Sequence, residues 1–156
     1  MARIDHFDNP DAPAANSIVV ATTAFVLDSQ DRVLLIHRTD NDLWALPGGA
    51  QEFGEYVAET AVRETKEEAG VDIEVVGIVG IYTNPNHVVE FTDGEVRQQF
   101  SICFRGRALG GDLRPSDESS EVEWVVSGAL DGLNIHPSMR LRIDHGYEHR
   151  AEPYIG

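Results

Sequence analysis

Apolar and polar residues follow one another along the chain in short blocks whose spacing predicts secondary structure. Blocks rich in β-branched and apolar residues that end at polar turns are typical of strands, whereas apolar residues three or four positions apart are typical of helices. The predicted strands are SIVVATTAFVLD, RVLLIHRT, LWALPGG, IEVVGIVGIYT, HVVEFT, EVRQQFSICFRGRAL and EVEWVV. The predicted helices span residues 56–69 and 137–149, so one helix interrupts the strands and a second follows them.

Turn residues indicate how these elements connect. The polar turn at 29–31 joins the first two strands, and Asp93-Gly94 joins the fifth and sixth, which predicts two antiparallel hairpins. Gly70 directly follows the first helical block, where a glycine is a typical helix stop. Strands with one helix in the middle and one at the end indicate an α/β fold in which helices flank a mixed β-sheet.

The N-terminal segment differs from the rest of the chain. Residues 1–16 contain two prolines among Asp, Asn and Ala and show no periodicity, which predicts a flexible lead-in. The remaining residues, 17–156, are of the length and composition of one globular domain, with 42% hydrophobic and 25% charged residues. We therefore predict a single domain over residues 17–156.

The charge excludes some classes of partner. The net charge is −15, from 27 acidic and 12 basic residues, and no basic cluster interrupts the acidic excess. A nucleic-acid polymer is therefore a poor partner, because binding its backbone requires clustered Lys and Arg. The chain also has no run of 18 apolar residues and no start typical of a signal peptide, so we expect no membrane association and a cytoplasmic location.

One patch of the first predicted helix concentrates negative charge. Glu64, Glu67 and Glu68 stand three and four positions apart, so their side chains are neighbours beside the apolar face. Like charges at this spacing destabilise a helix by roughly 0.2–0.5 kcal/mol per pair. Arg63 can pair with Glu59 and Glu67, which leaves Glu64 and Glu68 free. Oxygen ligands at the edge of a helix suit Mg²⁺, which binds one or two carboxylates and keeps positions for water and phosphate.

The residues around this patch resemble a known signature. The chain has a glycine, five residues, a glutamate, seven residues, Arg-Glu, two residues, Glu-Glu, one residue and a final glycine. This pattern resembles the Nudix box of Nudix hydrolases. The matching residues are Gly49, Glu55, Arg63, Glu64, Glu67, Glu68 and Gly70, followed by Val71. The departure is Thr65, where the family has an aliphatic residue, and its hydroxyl must bond back to the carbonyl of Ala61. The resemblance implies a Nudix α/β/α sandwich.

The resemblance also implies roles for the box residues. It makes Glu64, Glu67 and Glu68 ligands of Mg²⁺, for which Mn²⁺ could substitute, and it makes the Gly49 carbonyl a further ligand. Arg63 would act in catalysis together with Glu64 and Glu67, and Glu67 would assist either directly or by holding Arg63. Glu55 would have a supporting role.

Family members often add an acid from a late loop, which in this chain is PSDESSEVEW. Glu118 is the first candidate and Glu121 the second, with plain solvation of the loop as the alternative. Either Glu64 or Glu118 could be the general base, and the sequence does not decide between them.

The implied reaction is attack of water on a nucleoside diphosphate linked to a group X. Pro85, fifteen residues after Gly70, resembles a proline of ADP-ribose pyrophosphatases and favours ADP-ribose or another nucleoside diphosphate sugar. Candidate substrate-binding residues are Tyr82, as a stacking ring, and Arg38 or Arg97, as partners of the diphosphate.

Three alternatives stay open. The short chain also resembles enzymes that hydrolyse oxidised nucleoside triphosphates such as 8-oxo-dGTP, and Nudix-like modules that sense nucleotides without hydrolysis exist. A homodimer is also left open. Many ADP-ribose enzymes dimerise through an extra N-terminal sheet that residues 1–16 are too short to provide, which counts against the ADP-ribose assignment.

Overall fold

The computed structural model describes residues 3–156, which contain twelve strands, two α-helices and one 3₁₀ helix. In chain order these elements are β1 (Arg3–Phe7), β2 (Ser17–Ile18), β3 (Ala21–Leu27), β4 (Val33–Arg38), β5 (Trp44–Ala45), β6 (Gly48–Ala50), α1 (Val57–Ala69), β7 (Val71–Tyr82), β8 (His87–Phe91), β9 (Val96–Gln98), β10 (Ser101–Gly111), β11 (Ser119–Val125), the 3₁₀ helix (Ser127–Gly132), α2 (Pro137–Glu148) and β12 (Tyr154–Ile155).

The larger sheet has eight strands and forms the centre of the fold. Its main path runs β11-β4-β3-β10-β7-β12, with β5 paired to β4 and β6 paired to β3. The pairing of β3 with β4 is antiparallel, as predicted from the turn at 29–31, whereas β3 and β10 are parallel. The sheet is therefore mixed, which confirms the sequence prediction.

The two helices cover opposite faces of this sheet. Because side chains alternate along a strand, Ala24 and Val26 face one way while Phe25 faces the other. The first face forms a core with Ala69 of α1, and the second forms a core with Ile143 of α2. The predicted α/β arrangement with flanking helices is thus confirmed.

A second sheet of four strands, in the order β1-β8-β9-β2, includes the N-terminal segment. Residues 3–7 pair antiparallel with β8, with Arg3 opposite Phe91 and Phe7 opposite His87. The predicted flexible lead-in is therefore wrong for residues 3–7, while residues 1–2 lie outside the described part. The paired residues are 80 to 88 positions apart in the chain, so no local pattern could reveal this pairing.

Two predicted strands are each divided between the two sheets. The run that begins after Gly94 forms β9 in the small sheet and β10 in the large one, with the break at 99–100. The run that begins at Ser17 divides in the same way into β2 and β3. Both divided strands pair parallel on each side of the break, so the two sheets diverge at one place. This divergence opens a cleft.

The helices begin and end close to the predicted positions. Gly70 ends α1 in the left-handed conformation with φ of 79°, which a glycine adopts without strain. Thr65 is fully buried, and its hydroxyl donates to the Ala61 carbonyl at 2.7 Å, as the sequence required. His136 caps α2, since its Nδ1 accepts from the backbone N–H of Ser138 at 3.2 Å. Within residues 3–156 neither helix has the length and apolar character needed to cross a membrane.

We predict that Gly70→Ala destabilises the fold by about 2–5 kcal/mol, from about 1–2 kcal/mol for left-handed backbone and about 1–3 kcal/mol for overpacking. An added Cβ would overlap the backbone carbonyl of Asp112. Gly54→Ala is the matched control, because Gly54 has φ of 86° with no heavy atom within 4 Å of an added Cβ. Urea unfolding of both variants separates the two costs, and equal losses would contradict the overpacking part.

Candidate active site

Three glutamates converge where α1 meets the loop before β11. One carboxylate oxygen from each of Glu64, Glu68 and Glu118 lies within 4.8 Å of the others. Glu64 and Glu68 lie one turn apart on α1, so helix geometry alone makes them neighbours. Glu118 is brought to them by Ser119, whose buried hydroxyl donates to the backbone carbonyl of Glu68 at 2.6 Å. The structure therefore brings together these three predicted residues.

Glu68 is the most deeply buried of the three acids, with 1% of its surface exposed. Its Oε1 accepts from the backbone N–H of Gly48 at 2.8 Å, whereas its Oε2 has no hydrogen-bond partner within residues 3–156. Burial raises the pKa of Glu68 to about 8, and the neighbouring Glu64 and Glu118 add to the rise, while the Gly48 N–H and Arg38 oppose it. A buried carboxylate oxygen without a donor, beside two further carboxylates, fits a divalent cation.

Glu64 is also largely buried, and burial raises its pKa. Its Oε1 accepts from Nη1 of Arg63 at 2.9 Å. Gly49 packs directly against this carboxylate, because a Cβ added at Gly49 would lie 2.5 Å from the Glu64 carboxyl carbon. Any larger residue at position 49 would therefore overlap the Glu64 carboxylate. The role of the Gly49 carbonyl as a metal ligand stays a prediction.

Arg63 holds the site together through contacts that the helix pattern did not predict. Its Nε and Nη2 donate to the two oxygens of Glu55 at 2.8 and 3.0 Å. The hydrogen bonds from Arg63 are the main cause that lowers the pKa of Glu55 to about 2. The same guanidinium also reaches Glu64, so the prediction that Glu64 is left free is wrong. Glu59 does not pair with Arg63 but accepts from the backbone N–H of Tyr56 at 2.8 Å.

Glu67 lies apart from the other acids. Its side chain is 58% exposed, and it accepts from Nη1 of Arg63 at 3.2 Å. Within the described residues it does not belong to the group of convergent carboxylates formed by Glu64, Glu68 and Glu118. The structure therefore favours the indirect role for Glu67, as a partner of Arg63, over its predicted role as a metal ligand.

A cleft with a volume of about 490 Å³ extends from this cluster to the place where the two sheets diverge. Arg38 and Arg97, both predicted to bind substrate, line it. Each is already paired with an acid two positions away on the chain, Arg38 with Asp40 and Arg97 with Glu95. These bonds use Nε and Nη2, so the Nη1 donors remain for a ligand.

Tyr82 does not have the position predicted for it. Its ring is 5% exposed and belongs to the core beside α2, outside the residues that line the cleft. Its hydroxyl lies 2.9 Å from Nδ1 of His145, and its ring stacks on Tyr154. A stacking contact with substrate at Tyr82 is therefore excluded, because the chain's C-terminal segment already covers the ring.

Comparison with known proteins agrees with this geometry. Residues 18–141 match the NUDIX domain. The chain belongs to the Nudix hydrolase family. It is 36% identical over 115 residues to a MutT-like protein of Streptomyces ambofaciens, 35% over 116 residues to an ADP-ribose pyrophosphatase of Methanocaldococcus jannaschii, and 34% over 106 residues to a putative 8-oxo-dGTP diphosphatase of Bacillus subtilis. These matches cover 74%, 69% and 67% of this chain, and 67%, 62% and 64% of the relatives. The chain thus spans about two thirds of the length of these relatives.

Solved Nudix structures share the fold. An ADP-ribose pyrophosphatase from Streptococcus suis superposes with a TM-score of 0.65 at 25% identity, covering 88% of this chain and 98% of its own. A Nudix hydrolase from Nitrosomonas europaea gives a TM-score of 0.70 at 18% identity, covering 88% of this chain and 93% of its own. The second similarity shows the fold alone.

Some cleft residues lie outside the Nudix match or were missed in the sequence. Asp5 was assigned to a flexible segment, yet its carboxylate lies 3.1 Å from Nε2 of His87. Arg142, beyond the matched residues, lines the cleft from α2. The sequence contains one signal for a buried Arg142. Arg142 is three positions after Met139, and residues at this spacing lie on the same face of a helix, so the arginine belongs to the apolar face.

We predict that Glu68 makes the metal-free protein less stable as pH rises. The folded-state pKa of about 8 lies above the ordinary carboxyl value, so the native state binds the extra proton and loses stability between about pH 5 and pH 8. Glu68→Gln removes this loss, so the stability difference between variant and wild type should grow in favour of Gln by on the order of 4 kcal/mol over that range.

Urea unfolding in chelator at several pH values measures the difference. Glu67→Gln is the control, because it removes a charge from an exposed position on the same helix. A constant difference between wild type and Glu68→Gln across this pH range would contradict the burial of a titrating Glu68.

Proposed function

We propose that the protein is a divalent-metal-dependent pyrophosphohydrolase that cleaves nucleoside diphosphates linked to a group X, with ADP-ribose or another nucleoside diphosphate sugar as the substrate class. Two observations support this proposal. The carboxylates of Glu64, Glu68 and Glu118 converge, and Oε2 of Glu68 is buried without a hydrogen-bond donor within residues 3–156. Mg²⁺ is the proposed ion and Mn²⁺ a substitute, since both suit carboxylate oxygens.

The residues of the site have three proposed roles: metal binding, proton acceptance and positioning of a carboxylate. Glu64, Glu68 and Glu118 would hold the metal, which when bound supplies charge neutralisation at phosphate oxygens and a lowered pKa for bound water. Glu64 and Glu118 are the candidates for accepting the proton of the attacking water. Arg63, fixed by Glu55, keeps the Glu64 carboxylate in one orientation, because its Nη1 donates to Glu64 Oε1.

The cleft also addresses an electrostatic problem. A polyanionic substrate is repelled by a chain of net charge −15 unless the site itself presents positive groups. Arg38 and Arg97 line the cleft, and their hydrogen bonds within residues 3–156 use Nε and Nη2, which leaves Nη1 as a donor suited to phosphate oxygens. We propose that they contact the diphosphate.

The substrate class rests on fewer observations. The M. jannaschii relative and the S. suis structure are named as ADP-ribose pyrophosphatases, which supports a diphosphate sugar. Tyr82 does not support this class, because its ring is buried in the core. Asn84, next to Pro85, accepts from the backbone N–H of Asn86 at 2.9 Å, which is ordinary turn geometry. The B. subtilis relative keeps 8-oxo-dGTP as the second candidate. Homodimerisation stays a prediction.

We predict that activity disappears in chelator and returns with Mg²⁺ or Mn²⁺, and that Glu64→Gln lowers kcat by at least about 10²-fold, because the variant removes a metal-holding carboxylate. Glu123→Gln is the control, since it removes one negative charge from an exposed position of β11 away from the cleft. Turnover in excess chelator, or near-normal kcat for Glu64→Gln, would overturn the metal-dependent mechanism, whereas nucleotide binding without any turnover in Mg²⁺ or Mn²⁺ would favour a nucleotide-sensing module.

We predict that kcat/KM for ADP-ribose is not exceeded tenfold by that for 8-oxo-dGTP. Tenfold corresponds to about 1.4 kcal/mol of transition-state preference. The measurement is initial rates for both substrates at matched Mg²⁺, with identification of each product. A larger preference for 8-oxo-dGTP would transfer the proposal to oxidised nucleoside triphosphates.

A further inference from the structure

The part of the cleft formed by α2 contains a buried cation without a counter-ion. Arg142 is 3% exposed, yet it lines the cleft. Its Nε has no hydrogen-bond partner within residues 3–156, and its Nη1 makes only a long contact of 3.7 Å to the sulfur of Met139. The guanidinium carbon lies 5.0 Å from the centre of the Tyr82 ring. Burying an unpaired charge costs several kcal/mol, so this group calls for a partner.

Arg142 differs in this respect from the other arginines that line the cleft. Arg3, Arg38 and Arg97 each pair through Nε and Nη2 with a carboxylate two positions away on the chain. In each pair the two residues are only two positions apart, so these pairs form locally. Arg142 has no ion pair in the described part of the chain, and burial lowers the pKa of its guanidinium. A ligand that enters the cleft could supply a partner for Arg142.

The groups around Arg142 also favour an anion. The N-terminus of α2, with the backbone N–H of Ser138 capped by His136, adds the positive end of the helix dipole. Since Nδ1 of His136 accepts that hydrogen bond at 3.2 Å, a neutral His136 carries its proton on Nε2 and has a donor to offer. The acid beside these groups, Asp5, is already held by Arg3 and His87.

A metal is the competing ligand for this region, because Asp5, His87 and His136 offer ligand atoms within 4.8 Å of one another. Two features argue against it. The rings of His87 and His136 are stacked almost parallel, with centroids 4.9 Å apart, which does not direct both toward one ion. Burial is the main cause that lowers the pKa of His136, and the nearby positive charge of Arg142 adds to it and would repel a bound cation.

We propose that Arg142, assisted by His136, binds an anionic group of the substrate, a phosphate or carboxylate outside the pyrophosphate. Because α1 and α2 cover opposite faces of the central sheet, this group would lie across the cleft from Glu64. The subsite rests on the proposed hydrolase function, and it narrows X or the nucleoside to a class that carries a further negative charge. Arg142 lies outside the Nudix box and one residue beyond the matched residues, so the family match does not assign it a role.

Two pairs of substrates test the subsite and show whether the bound anion is a phosphate or a carboxylate. ADP-ribose 2′-phosphate and ADP-ribose differ by one phosphate, and UDP-glucuronate and UDP-glucose differ by one carboxylate. We expect the wild type to favour the charged member of one pair by at least about tenfold in kcat/KM, and that pair identifies the anion. Arg142→Met should reduce this preference to below about threefold, chiefly through KM, because it removes the guanidinium and keeps an unbranched apolar side chain.

Arg140→Met is the matched control, since Arg140 lies on the same helix, is paired with Asp131 and Asp144, and does not line the cleft. It should keep the wild-type preference. Stability provides a further readout, because removing a buried unpaired charge should leave Arg142→Met at least as stable as the wild type. A purely structural Arg142 would instead lose stability on substitution. If Arg142→Met does not fold, Arg142→Lys, which keeps the charge, replaces it and should retain part of the preference.

Binding of an anion to the subsite can also be measured without hydrolysis, from the thermal unfolding of the protein. In chelator, inorganic phosphate should raise the Tm of the wild type and of Arg140→Met by more than it raises the Tm of Arg142→Met. If no substrate is hydrolysed while this difference holds, the hydrolase function fails and the anion subsite stands. If substrates are hydrolysed without preference in either pair and phosphate stabilises all variants equally, the hydrolase function stands and the subsite is overturned.

Discussion

The burial of the Glu68 carboxylate beside two other acids is the constraint on which the site depends. Desolvation and like charge both oppose ionisation of Glu68, and the protein supplies one backbone N–H to one of its oxygens. Such an arrangement persists only where the surrounding fold enforces it. Here the fold enforces it from two sides, through the glycine loop at Gly48 and the hydroxyl of Ser119. The ionised form of Glu68 is therefore disfavoured in the metal-free protein, and a bound cation would offset that cost.

The pair formed by Arg63 and Glu55 makes this arrangement rigid. A bidentate guanidinium–carboxylate pair restricts both side chains, and the remaining Nη1 of Arg63 holds Glu64. The loop that carries Glu55 is thereby tied to α1 at the point where the acids gather. Gly49 completes the packing, because a side chain there would occupy the volume of the Glu64 carboxylate.

The divergence of the two sheets gives the site its cleft. β2 continues into β3 and β9 into β10 with only two residues between, so two parallel strand pairs leave one sheet and enter the other side by side. The N-terminal strand β1 forms one edge of the small sheet and places Arg3 and Asp5 at the cleft. A polyanion would thus meet arginines from both sheets and from α2.

The sequence by itself determined the features whose causes are local. A helix period places Glu64 and Glu68 on one edge of α1, Gly70 ends that helix, and the box spacing identifies the family. Only the tertiary structure decided the partners of Arg63, the strand at residues 3–7, the burial of Tyr82 and the unpaired state of Arg142. Each depends on contacts with other elements, and from sequence alone the position of a side chain along a strand does not say which face will be covered. Local periodicity fixes the direction of a side chain relative to its own element, whereas burial and pairing depend on which distant element lies opposite.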